Sequence, residues 1–210
     1  MVDDTYVIQM NGEWSLEDLY SFPHTFSQAY AFLYALNMPL DSSKEEQLRI
    51  TFTSHPWFGG YSAVNFYNYL KAIVPISDRP KVISIKYGSP GLFELGLAVS
   101  IAVSVGILVK AFTAGAGSLH SLYNDIYRGL QERKLMRIEV KRKELVLEKE
   151  RLQFIDDAIH KLSHAMGFQN VAEMNRLTGN PLATLKILLS FYRRIRTLTE
   201  YERDGKAKFE

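Results

Sequence analysis

The strongest constraint on this chain is an uncharged run of 15 residues, 95–109, bracketed by Glu94 and Lys110. As a helix it extends roughly 22 Å, short of the ~30 Å hydrocarbon layer of a bilayer. Extending it back to Leu92 brings a carboxylate, Glu94, into the apolar layer. Small residues recur at intervals of four, with Gly96, Ser100 and Ser104 on one line and Ala98, Ala102 and Gly106 on another. Such lines allow close helix approach in a protein core or in lipid. The run is therefore expected to be a buried core or oligomer helix, with a bilayer segment over 92–112 as the alternative. A single crossing would place the parts before and after it on opposite sides, the basic part inside. The acidic start, Met1 to Asp4, lacks the basic-then-apolar order of a secretory signal, so a cytoplasmic protein, membrane-associated in the alternative, is expected.

The chain on either side of this run differs in character. The first 90 residues carry 6 Lys/Arg against 9 Asp/Glu and hold 16 aromatic rings; the remainder carries 19 against 14. Tyr6 to Met10 forms a β-branched and aromatic strand pattern closed by Asn11-Gly12. Ser15 and Asp18 have capping-box spacing for a helix that Pro23 is expected to break or restart, with an apolar face continuing from Phe26 to Leu36. Residues 48–53 alternate at period two and predict a second strand. A helix over 62–73 and a strand over 80–87 complete a β-α-β-α-β order, which favours a small α/β layer.

Beyond residue 90, Ser89 and Pro90 resemble a helix start, and Ala114-Gly115-Ala116-Gly117 is expected to loosen the apolar helix. Between 131 and 151, 13 of 21 residues are ionic. Ile138, Leu145, Leu152, Ile159 and Met166 recur every seven residues, and Ile155 and Leu162 fill alternate positions. That spacing predicts a coiled-coil or hairpin seam. Asn180-Pro181 opens a last helix with Leu182, Leu185, Leu188, Leu189, Tyr192 and Ile195 on its buried side, and Gly205 ends it. The predicted fold class is α+β: an α/β layer over 1–90, an apolar helix over 91–117, a charged helical stalk over 118–168 and a helical segment over 169–210.

Chemistry-bearing residues are scattered. Two Gly-rich turns, with Trp57, Gly59, Gly60, Tyr61 and Ser62 in one and Gly88 and Ser89 in the other, are weak ligand candidates, since helix N-termini present N–H groups to anions. Neither has a phosphate-loop lysine. His160 and His164 have zinc-ligand spacing but no third ligand, and the chain has no cysteine, so no metal site is expected. Arg193, Arg194 and Arg196 match a helix C-terminus as well as a phosphate contact, and with a net charge of only +2 nucleic acid is not an expected partner. No catalytic residue or cofactor is assigned. A non-catalytic protein is expected, self-associating through its long helices and binding a partner or ligand through its α/β domain. The alternative is a membrane-acting effector that inserts 92–112 and senses a signal such as a nucleotide.

Overall fold

A computed structural model describes residues 5–54, 60–88, 90–135 and 149–209. The elements run β1 (Thr5–Met10), α1 (Leu16–Asn37), α2 (Ser42–Ser54), α3 (Gly60–Ile73), β2 (Lys81–Lys86), β3 (Gly91–Gly96), α4 (Val99–Glu132), α5 (Lys149–Met166), α6 (Val171–Thr178), α7 (Pro181–Arg203) and β4 (Ala207–Phe209). The chain is α+β, mostly helical, with one small antiparallel sheet. It divides into two compact units: Met1–Met38 with Lys71–Ala114 and Arg193–Glu210, and Pro39–Leu70 with Gly115–Tyr192.

The first unit contains the sheet, in the order β2-β3-β1-β4. Tyr6, Ile8 and Met10 alternate inward on β1, opposite Leu95, Phe93 and Gly91 of β3. Phe209 and Ala207 of β4 extend this apolar surface. Helix α1 supplies its cover: Phe22 meets Phe93, Phe209 and Tyr201 edge-on or tilted, and Phe26 stacks on Tyr6 and Phe209. The start of α1 has both halves of the capping box, Ser15 and Asp18 each satisfying the other's backbone N–H. Lys206 donates to Asp18 at 2.8 Å, which joins the α7–β4 turn to the start of α1 and holds the Asp18 carboxyl at about 2.

Several sequence expectations change here. Pro23 lies inside an unbroken α1. The missing N–H costs about 3 kcal/mol locally, but the aromatic face packs on both sides of it, through Phe22 and Phe26. Residues 48–53 are helical, so the expected β-α-β-α-β order does not form. Leu48, Thr51 and Phe52 are buried at helical spacing, whereas Ile50, which a strand would place with them, is 48% exposed. Asp41 caps this helix through the Lys44 N–H. The apolar run is divided: 91–96 is strand β3, and the helix starts at Val99. Gly88 and Pro90 therefore lie in a hairpin connection joining β2 to β3 across the compositional boundary at 90. Ala114 to Gly117 does not interrupt α4.

In the second unit α2 lies against α6, and Phe52 meets Phe66 of α3 edge-on at 5.2 Å. Tyr123 of α4 stacks on Tyr192 of α7 at 4.5 Å. Gly129 lets the Phe154 ring of α5 approach to where a Cβ would stand at 2.5 Å. On α5 the buried residues are Ile155, Ala158, Ile159, Leu162, Ser163 and Met166, while Leu152 is open. That is the wide stripe of a globular helix rather than a two-position seam. Ile138 and Leu145 lie outside the described residues. Asn180 caps α7 through Leu182 and Ala183, and all six residues expected on its inner side are buried.

Gly91 marks the tightest point of the hairpin: an added Cβ would stand 2.6 Å from the Lys86 carbonyl oxygen and 3.2 Å from Gly88 backbone atoms. Gly91→Ala is expected to cost about 1–3 kcal/mol in urea unfolding, because backbone rather than a side chain must yield.

Candidate functional site

Among the sequence candidates, the two Gly-rich turns lie in different local settings. Gly60, Tyr61 and Ser62 open α3, and the element before it in the chain is helix α2 rather than a strand. Gly88 belongs to a hairpin and precedes no helix N-terminus. Trp57, Gly59 and Ser89 lie outside the described residues. His160 and His164 stack their rings at 6.4 Å on the open side of α5, and the described residues contain no group of three or more ligands suited to a metal. Arg196 pairs with Glu200, and Arg193 is exposed, so these two arginines do not face a common site with Arg194.

The small-residue lines are also reapportioned. Gly96 ends β3 beneath Ile83, and Ala98 precedes α4. Ala102 and Gly106 are buried, together with Ile101, Val105, Leu108, Val109 and Phe112. Ser100 and Ser104 turn toward the other side, where Val103 is 37% and Ile107 61% exposed beside open Ala111 and Ala114. Helix α4 is thus uncharged on both sides between 99 and 109 and covered on one. It is the one described helix long and apolar enough to cross a membrane.

Strand β2 is a sheet edge with Val82, Ile83 and Ile85 exposed. Lys81 and Lys86 stand at its two ends, so a second β2 aligned antiparallel would set lysine against lysine. Edge lysines of this kind block strand-to-strand association.

A further group of residues was not foreseen. On α1, His24 and Gln28 are one helical turn apart. From α7, the Arg194 Nε–H donates to Gln28 Oε1 at 3.2 Å. That contact orients the amide, so Gln28 Nε2 faces His24 Nε2 at 3.0 Å. The imidazole nitrogen then accepts, leaving the His24 proton on Nδ1. Tyr20, one turn earlier, stacks its exposed ring on the imidazole at 5.5 Å. Burial lowers the His24 pKa, and the positive charges of Lys71 at the end of α3 and of Arg194 lower it further. Burial also lowers Lys71. Gln28, only 4% exposed, is the buried centre of this cluster. The sequence signal was slight: a His and a Gln four apart on α1, with two partners 47 and 170 residues downstream of the His.

Comparison with protein-family models, with curated proteins and with solved structures found no match.

A His kept neutral in the fold stabilises it above the unfolded-state pKa and ceases to do so as pH falls, because the unfolded chain takes up the proton first. Imidazole resonances followed by NMR should show His24 titrating below the ordinary histidine value. Lys71→Met is expected to move that midpoint upward, since it removes a repelling charge.

Proposed function

We propose that this is a non-catalytic interaction protein that self-associates through the outward side of α4, with the unit built on the sheet and α1 binding a partner or ligand. One observation carries the proposal: over 99–109, its first three turns, α4 carries no charge on any side and buries one side. A helix of that kind normally has both sides covered. Val103 and Ile107 are the large residues of the open side, and Ser100, Ser104, Ala111 and Ala114 around them permit close approach by a second helix. Lys110 is exposed on the same helix, which suits a protein contact in water better than immersion in hydrocarbon.

Membrane association is the second reading, favoured by the length and composition of α4. It conflicts with the role of the opposite side, where Ile101, Val105, Val109 and Phe112 belong to the protein core. Lipid would have to cover the open side alone, or the core would have to separate.

In light scattering, the wild-type mass should rise with concentration, and Val103→Ser with Ile107→Ser should hold the mass at that of the monomer. Unfolding free energy should change by no more than about 1 kcal/mol, as for exposed positions. A wild-type monomer mass at every concentration overturns the proposal. Retention in an alkaline-carbonate-washed membrane pellet, lost in Val103→Arg, transfers the open side to lipid.

A further inference from the structure

We propose that strand β2 is a docking edge for an extended, acid-flanked segment of a partner protein, which joins the four-stranded sheet as an added strand. The proposal rests on the reading that the sheet unit binds a partner, and it names where and how. Among the described residues the sheet ends in two unlike edges. Strand β4 is three residues long, and its Ala207 and Phe209 are buried. Strand β2 is six residues long, has β3 as its neighbour on one side, and leaves Val82 54%, Ile83 57% and Ile85 49% exposed. An edge row of backbone N–H and C=O groups beside bare β-branched side chains is a template for a further strand.

The register of β2 dictates what that strand must carry. Val82 stands opposite Leu95 and Ile85 opposite Phe93, so both lie on the face where Leu95 and Phe93 are buried. That apolar face runs on to the edge and is half-bare there. Lys81, Ser84 and Lys86 stand opposite Gly96, Glu94 and Leu92, on the other face. Ser84 donates to Glu94, and Lys86 approaches it at 3.7 Å while remaining largely exposed. Lys81 is exposed and has no acidic partner among the described residues. These lysines repel a second β2 and attract a strand with acids opposite them. Ile83 is the extra residue of a bulge, so five positions of a facing strand span Lys81 to Lys86, as residues 92–96 of β3 do. Along that strand the order is acid, apolar, polar, apolar, acid. The bulge and the lysines together keep the edge from pairing indiscriminately.

The test is titration of the full chain with a dye-labelled peptide, Glu-Val-Thr-Val-Glu flanked by serines, followed by fluorescence anisotropy and by amide exchange over 81–87. The peptide is expected to bind and to slow exchange along β2. The same peptide with lysine in place of both glutamates should bind about tenfold or more weakly. Lys81→Glu with Lys86→Glu should invert that preference. Both lysines are exposed, and an inverted preference is a gain that misfolding does not produce. N-methylation of one alternate set of peptide amides should abolish binding and of the other should leave it, since an added strand pairs along one of its edges. No binding of the acidic peptide, equal binding of the two peptides, or binding indifferent to N-methylation of either set overturns the proposal. So does a wild-type mass that rises with concentration and is held at the monomer by Ile85→Lys, which makes the occupant a second copy. Failure of the peptide leaves self-association through α4 standing, because that is read from the mass of the Val103→Ser, Ile107→Ser variant.

Discussion

Much of the first unit is tied together at one phenol. The Tyr30 hydroxyl donates to the Asp78 carbonyl at 2.8 Å and accepts from the Ala98 N–H at 3.0 Å. Asp78 lies in the connection from α3 to β2, and Ala98 in the connection from β3 to α4, so a single side chain of α1 ties both ends of the β2–β3 hairpin. Each bond contributes only about 1 kcal/mol net, but leaving a buried donor or acceptor unmade costs roughly 1–3 kcal/mol. Burial raises the Tyr30 pKa to about 12, which keeps the hydroxyl a donor across the ordinary pH range. Tyr34, one turn on, reinforces the tie by donating to the Asp78 carboxylate at 2.6 Å. Ser77 Oγ donates to its other oxygen, and Arg79 holds the carbonyls of Val74 and Ala72.

With α1 anchored in this way, its sides serve different purposes. The side bearing Phe22, Phe26 and Tyr30 is filled by the sheet and the connections, while His24 and Gln28 face Lys71 and Arg194. The same local rule, side chains three or four apart sharing a side, produces both. The apolar side is satisfied within the unit. The polar side centres on the buried Gln28 amide, held by Arg194 and facing His24, and α4 leaves Val103 and Ile107 uncovered. Among the described residues, the open side of α4 leaves an apolar demand that this unit does not meet.

The legible parts of the fold were those decided by near neighbours. Ser15 with Asp18, Asn180 with Pro181, and Gly205 after α7 set helix ends as expected, because capping groups and positive φ angles act over a few residues. The misread segments were those whose type depends on what they face. Residues 48–53 carry a two-residue alternation and a helical stripe at once, and Phe66 of α3 fixes the stripe. Residues 91–96 look like the start of an apolar helix until β1 and β2 pair with them on either side. Pro23 shows the same override, a local penalty outweighed by aromatic packing.

By itself the sequence determined the mixed α+β class, the ends of α1 and α7, the apolar character of α4 and the absence of thiol chemistry, since these rest on residue type and short spacing. Only the tertiary structure decided that β4 joins β1, that 91–96 is a strand, and which side of α4 stays open. The meeting of His24, Lys71 and Arg194 was likewise a tertiary outcome. Strand pairing and charge clusters link residues tens to hundreds of positions apart, and no local periodicity records which distant segment will supply the partner.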